Sequence, residues 1–392
     1  MNRSFATKLI HRGEQNPESI SKSKTLPISM TSVFAFDDVE TLDEVYEGKA
    51  KGYVYSRNGN PVHDALKEIM FSIDEGEDAQ VFSSGMAAVS MSILSLVKAG
   101  DHIIADNVLY GGTYQFLKNE LSKFNIDVTF VNTINDSIEK YFRPNTKLVY
   151  VETISNPLME VADLRTISNI AHVHKAKLIV DNTFATPIVC QPIKLGADIV
   201  VYSATKYLCG HSDVTGGIVV SDKYLTQNIR NISALYGPMM SPFDAWLLIR
   251  SLRTLEIRMI KHSQNAMQLG DFLEKHSKVK KVHYPGLKSS PSNKMASKNF
   301  INGLYGGMLS IDVVNGERGA YELIRALDTV KFVPSLAGVA TSVSYPVKTS
   351  HRALNDDELR KAGISKGLIR ISTGLEDVDD LISEFDKALN KI

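Results

Sequence analysis

The chain has 392 residues, with 44 Lys+Arg against 44 Asp+Glu and 43% hydrophobic residues. That length exceeds one ordinary core, so two or more domains are expected, and the charge balance excludes any global pull toward nucleic acid or an anionic membrane. No secretory signal is read in Met1–Gly13 and no apolar stretch reaches bilayer length, while Cys190 and Cys209 suit a cytoplasmic setting as two free thiols.

In chain order, residues 1–60 read as an arm rich in Ser, Thr, Pro and Gly with weak periodicity. A regular alternation begins at Pro61, which suits a first helical position, with Val62, Leu66, Ile69 and Met70 on one face. Strands are predicted at Ala79–Phe82, His102–Ala105, Asp127–Val131, Leu148–Val151, Leu178–Val180, Ile199–Tyr202 and Ile218–Val220. Helices are predicted between them at Met86–Val97, Thr113–Phe124 and Leu164–His174. Continuous Val/Ile runs separated by helices indicate a buried, mostly parallel sheet. One long helical pattern from Pro242 to about Lys275 leads into a smaller α+β domain. Its strands are predicted at Met308–Val313 and Leu368–Ser372, and its closing helix at Val378–Leu389. The expected division is an arm over 1–60, a large domain over 61–250 and a small domain over 251–392. His172 and His174 form a lone His-x-His, for which ordinary helix histidines are expected rather than a metal pair.

Chemistry concentrates at Ser203-Ala204-Thr205-Lys206-Tyr207, directly after the strand Ile199–Tyr202. A lysine at a strand's C-terminal end lies where α/β sheets place ligands, and the flanking hydroxyls suit phosphate; a plain surface lysine is the alternative. Asp181 ends the strand Leu178–Val180. A carboxylate there is what the pyridine nitrogen of pyridoxal 5′-phosphate (PLP) requires, although an Asp in this place is also a common helix cap. Ser83-Ser84-Gly85-Met86 joins a strand to a helix, where free N–H groups favour an anion, or where a simple turn suffices. Tyr110, after the next strand, is placed to stack on a flat ring or to cap a helix.

Taken together, the motifs resemble one family, the Cys/Met-metabolism PLP enzymes. The matching stretches are Tyr53–Pro61, Ser84-Gly-Met86, Tyr110-Gly111, Ser155-Asn-Pro157, Asp181-Asn-Thr-Phe184 and Ser203-Ala-Thr-Lys206. They continue through Gly210-His211, Gly237-Pro238, Ser335-Leu336 and Thr349-Ser-His351 to Arg370–Glu376, essentially the whole chain in order. The resemblance implies PLP fold-type I, similar to aspartate aminotransferase, with a mostly parallel central sheet and a smaller C-terminal α+β domain. It implies that Lys206 carries PLP as a Schiff base and shuttles protons, that Asp181 holds the pyridine nitrogen, and that Tyr110 stacks on the ring and takes part in proton transfer. Ser84, Gly85, Met86, Ser203 and Thr205 would hold the phosphate, and Asn156 would sit by the phenolic oxygen. Tyr55 and Arg57 would reach a neighbouring subunit's phosphate, in a homo-oligomer expected to be a dimer of dimers. Arg370, with Ser335, would hold the carboxylate of a small amino-acid substrate. No nucleic-acid or membrane partner is implied.

Departures from the family pattern bear on the substrate. Cystathionine-handling members carry a Glu where this chain has Pro334, and methionine γ-lyases often carry Cys where it has Gly112. Ala337 interrupts a Gly pair, and Val62 replaces Thr. Loss of the carboxylate at Pro334 points toward a methionine or homocysteine γ-lyase that gives a 2-oxo acid, ammonia and a thiol. The alternatives are a cystathionine γ-lyase, a cystathionine γ-synthase acting on O-acylhomoserine and, from a different class, a non-catalytic binding protein on the same fold.

Overall fold

Residues 23–134, 136–352 and 354–392 are described in a computed structural model. The first 22 residues of the expected arm, Met1–Gly13 among them, lie outside the described residues.

Seven strands form the first sheet: β1 (Asp78–Phe82), β2 (His102–Asp106), β3 (Asp127–Val131), β4 (Thr146–Glu152), β5 (Lys177–Asp181), β6 (Ile199–Ser203) and β7 (Gly217–Ser221). Their order is β1-β7-β6-β5-β4-β2-β3, and only β7 runs antiparallel to its neighbours. The reason lies in the connection: residues 204–216 form turns without a crossover helix, so the chain returns beside β6 in the opposite direction. Ile103, Ile104, Leu148, Val149, Ile179, Val180, Val200 and Val219 have no exposed surface, as expected for strands covered on both faces.

A second sheet joins β8 (Val279–His283), β9 (Met308–Val313), β10 (Lys331–Phe332), β11 (Ser342–Ser344) and β12 (Leu368–Ser372) in the order β10-β11-β12-β9-β8. It is antiparallel apart from the β10–β11 pair. Its core is separate, built on Leu269, Leu273, Leu309, Ile311, Ile369, Ile371 and Phe385.

Three expectations need correction. The single helical pattern from Pro242 to Lys275 is two helices, Pro242–Leu252 and Leu255–Lys275. Arg258 holds the break: its guanidinium donates to the Ser251 carbonyl (3.0 Å), which the Thr254 N–H also meets (3.1 Å), and to the Tyr207 carbonyl (2.7 Å), tying the end of the first helix to the turn after β6. The stretch predicted as a helix over Thr113–Phe124 starts earlier, at Gly111, and widens into a π-turn at Phe116–Glu120 before a 3₁₀ turn. It opens on two glycines, the poorest helix formers after proline. The arm also contains a helix, Val39–Tyr46, capped by Asp38 and without a buried residue.

The rest of the described arm is anchored. Asn60 caps the helix Pro61–Asp74 through the Val62 N–H and donates to the Ser29 carbonyl (3.0 Å), while the Trp246 indole donates to Leu26 (3.0 Å). Both cysteines are buried and free. No described helix is long and apolar enough to cross a membrane.

Candidate active site

The parallel strands β4, β5 and β6 end together at Glu152, Asp181 and Ser203, which defines a carboxyl-end crevice. A cavity of about 540 Å³ opens there, bounded on its other side by Pro334 and Ser335, which follow β10, and by Arg370 on β12. Of the residues expected at the site, Ser84, Gly85, Met86, Tyr110, Asn156, Asp181, Ser203, Thr205, Lys206, Ser335 and Arg370 all line it.

Lys206 sits one turn beyond β6, its N–H donating to the Ser203 carbonyl (3.1 Å). Its ammonium donates to Ser335 Oγ (3.1 Å). Burial lowers its pKa, and the charge of Arg370 lowers it further. Both effects disfavour the ammonium form and favour a free amine. Arg370, on β12, donates through Nη1 to Asn156 Oδ1 (3.0 Å) and through Nη2 to the Ser335 carbonyl (3.3 Å). Burial pulls even this guanidinium down to about 10. Among the described residues it has no carboxylate partner, and such a buried cation is the usual receptor for an incoming anion.

Asp181 accepts the Thr183 N–H (3.0 Å) and lies 3.5 Å from the Tyr150 hydroxyl. Glu152, its register partner across β4 and β5, accepts the Tyr110 N–H (2.6 Å). Burial raises both acids, and the charge of Asp181 raises Glu152 further. Among the described residues neither acid pairs with a cation, and a protonated pyridine nitrogen would supply the missing countercharge.

The opposite end of the cavity suits a phosphate. Ser84 caps the helix Gly85–Leu94 by accepting the Ala87 N–H (3.1 Å), and the first main-chain helical bond is made by Ala88. The N–H groups of Gly85 and Met86 therefore precede the helical ladder, where an anion binds. A Cβ on Gly85 would lie 2.8 Å from Ser203 Cβ and Oγ, so only glycine lets this turn meet the β6 end. Thr205 Oγ1 accepts the Gly216 N–H (3.0 Å), a local role that still leaves the residue on the cavity wall. The residues present fit PLP at both ends.

Tyr55 and Arg57 do not line this cavity within the chain. The Arg57 guanidinium lies 5.1 Å from the centre of the Tyr55 ring, and both residues are exposed. The departures are accommodated as follows. Ala337 keeps a left-handed φ of 68°, which a glycine adopts without steric penalty. A Cβ on Gly112 would lie 2.6 Å from Tyr110 Cε1, so the tyrosine ring occupies that space. Sequence reasoning missed Glu152, although an acid closing an apolar strand is the same signal that identified Asp181. It also missed Lys348, which ends a 3₁₀ turn, and Arg352, which follows on an irregular segment; both line the cavity.

Comparison with known proteins agrees with the geometry. The family model described as Cys/Met metabolism PLP-dependent enzyme matches residues 6–390. An L-methionine gamma-lyase of Treponema denticola is 40% identical over 99% of this chain and 97% of its own length. A cystathionine beta-lyase of Lactococcus lactis is 39% identical over 99% of both chains. Among solved structures, metB of Corynebacterium glutamicum has a TM-score of 0.89 at 35% identity, covering 99% of this chain and 98% of its own. A putative O-acetylhomoserine (thiol)-lyase of Campylobacter jejuni, whose structure carries a pyridoxyl-lysine 5′-monophosphate, has a TM-score of 0.89 at 30% identity over 94% and 96%.

Proposed function

The chain belongs to the Cys/Met metabolism PLP-dependent enzymes, and on that premise we propose that its cavity performs γ-elimination on methionine or homocysteine. The protein is a PLP-dependent carbon–sulfur lyase of fold-type I. One observation carries the assignment of the site: Asp181 at the end of β5, Lys206 just beyond β6 and Arg370 in the middle of β12 converge on one cavity.

PLP, when bound, supplies an electron sink for negative charge beside the substrate amino group. Arg370 holds the substrate carboxylate through its fork of N–H groups and thereby fixes the Cα–H bond. Lys206 Nζ, held near Ser335 Oγ and made less basic by burial, takes the Cα proton and returns it further along the carbon chain. Asp181 keeps the proton on the ring nitrogen. Tyr110, whose main chain is anchored on Glu152, hands a proton to the departing sulfur. Water then completes release of the 2-oxo acid and ammonia. Ser84, Gly85, Met86, Ser203 and Thr205 would hold the phosphate, and Asn156 the phenolic oxygen.

Pro334 supports the preference for a small thioether, because its side chain offers neither charge nor acceptor to a second ammonium. The names of the relatives support a second reading, cystathionine elimination or replacement on an O-acylhomoserine. The wider reading includes an arm over 1–60, a large domain over 61–250, a small domain over 251–392, a homodimer paired into a tetramer, and a cytoplasmic setting for two buried thiols. The test is to supply methionine, homocysteine, cystathionine and O-acetylhomoserine plus cysteine to the purified protein, and to follow 2-oxobutanoate and thioethers. Rapid 2-oxobutanoate formation from methionine or homocysteine is expected. Thioether formation as the sole product would overturn the reading in favour of a synthase. A protein that stays colourless with added PLP would point to the non-catalytic alternative.

A further inference from the structure

Four cations line the Lys206 cavity, namely Lys206, Lys348, Arg352 and Arg370, against two acids, Glu152 and Asp181. The acids face each other across β4 and β5, where the ring nitrogen fits. Lys206 and Arg370 have roles in the reading above, whereas Lys348 and Arg352 have none. Lys348 stands 3.6 Å from Glu317, an exposed and therefore weak pairing. Among the described residues no carboxylate lies within ion-pair reach of Arg352.

The segment that carries Arg352 is held just before it, at Ser350 and His351. His351 is buried, donates its N–H to the Pro346 carbonyl (2.9 Å), and its ring lies 2.9 Å from Ser350 Oγ. The Ser350 carbonyl lies so close to Gly111 that a Cβ there would come within 2.4 Å of it. Arg352 therefore projects from a fixed backbone. It borders the Lys206 cavity and also a second cavity of about 450 Å³ that is lined by Tyr114, Gln115 and Phe130. A substrate gripped by Arg370 at its α-carboxylate has its γ-substituent elsewhere in the same cavity, and Arg352 and Lys348 are the cations left to meet it.

We propose that Arg352, assisted by Lys348, forms a second anion subsite that selects amino acids whose γ-substituent ends in a carboxylate. The inference rests on the lyase reading and extends its substrates beyond methionine and homocysteine, whose tails make no use of these cations, to amino acids with a carboxylate tail. It also separates the two charges of a zwitterionic tail: the distal carboxylate has cations to meet, and the distal ammonium meets Pro334.

The test uses two esters with the same reacting atoms, O-succinyl-L-homoserine and O-acetyl-L-homoserine. Each takes up one water and releases its carboxylic acid, 2-oxobutanoate and ammonia. The wild type is expected to favour the succinyl ester by roughly tenfold in kcat/KM, the usual worth of one charge-assisted contact. Arg352→Gln should bring that ratio close to one through loss on the succinyl ester, and Arg352→Lys should restore part of it. A second readout needs no turnover: titration of the bound cofactor's visible absorbance with unreactive L-2-aminoadipate and L-norleucine. The former should bind about tenfold more tightly to the wild type and lose that advantage in Arg352→Gln. Equal ratios in the wild type would overturn the subsite. So would an Arg352→Gln protein that binds PLP more weakly while treating both tails alike, since the arginine would then serve the cofactor phosphate. A PLP-loaded wild type that turns over no substrate would overturn the lyase reading instead, and the titration would still decide the subsite.

Discussion

Glu152 and Asp181 stand opposite one another at the ends of β4 and β5, and burial raises the pKa of both. Glu152 accepts the Tyr110 N–H, and Asp181 accepts the Thr183 N–H. The two acids thus differ in what they hold, and their replacement should differ in effect. Asp181→Asn removes the countercharge of the ring nitrogen and should lower kcat by about a hundredfold or more. Glu152→Gln keeps an acceptor for Tyr110 and removes a like charge, so kcat should stay within roughly tenfold of wild type. Steady-state kinetics at saturating PLP decide the matter, and the reverse ranking would hand the countercharge to Glu152.

Lys206→Ala removes the covalent anchor and the proton carrier together. The visible band of the bound cofactor should vanish, and turnover should fall at least about a thousandfold. Far-UV circular dichroism should be unchanged, because among the described residues the Lys206 side chain bonds only Ser335 Oγ. Full activity in this variant would sink the assignment of the site.

Much of this architecture was legible before any coordinates. β5 and β6 fall where apolar runs predict them, because a strand buried on both faces carries continuous Val, Ile and Leu, whereas β3 falls at its predicted residues with only Val131 buried. Asp181 and Lys206 were legible for the same reason, as polar residues that end such runs. β8, by contrast, reads Val-Lys-Lys-Val-His, an exposed edge with two lysines that gives no apolar signal. The break between Leu252 and Leu255 was hidden because it depends on Arg258 reaching the Tyr207 and Ser251 carbonyls, a tertiary contact outside local periodicity. Arg352 was hidden because it lies on an irregular segment, where only the fold brings it to the cavity.

Gly112 should matter through Tyr110. With a Cβ placed 2.6 Å from Tyr110 Cε1 and 3.2 Å from Met86 Sδ, Gly112→Cys must move the ring. We expect a fall in kcat of about tenfold with PLP retained, as for loss of a positioned proton donor. Double-mutant kinetics isolate the cause. If displacement of the ring is responsible, Gly112→Cys adds little to Tyr110→Phe; additive losses would place the effect elsewhere.

Tyr55 and Arg57 line no part of their own chain's cavity, which is the arrangement a shared site requires. Mixing inactive Arg57→Ala subunits with inactive Lys206→Ala subunits should regenerate activity, since one of the two sites in a mixed dimer would then be intact. About a quarter of wild-type activity is expected for random exchange of equal amounts, one intact site in each mixed dimer. No recovery despite demonstrated exchange would show that each chain completes its own site.

Asp74 gives a prediction about stability that is independent of catalysis. It ends the helix Pro61–Asp74 without exposed surface. Its Oδ2 accepts the Tyr202 hydroxyl (2.7 Å), and its Oδ1 has no partner among the described residues. Burial raises its pKa to about 7, the Tyr202 bond opposing the shift. An acid raised in the folded state favours folding fully below its unfolded value, and that contribution is lost as pH rises through the folded value. Between pH 5 and 8 the loss should be on the order of 2–3 kcal/mol. Asp74→Asn keeps the shape and an acceptor for Tyr202 but cannot ionise. The melting temperature of the variant relative to wild type should therefore rise from pH 5 to pH 8. Four buried histidines, His63, His102, His262 and His351, are each lowered to about 4 and also make stability depend on pH, but they are common to both proteins and cancel in the difference. A constant offset across that range, measured by thermal denaturation, would mean that Asp74 is already ionised in the folded protein at pH 5.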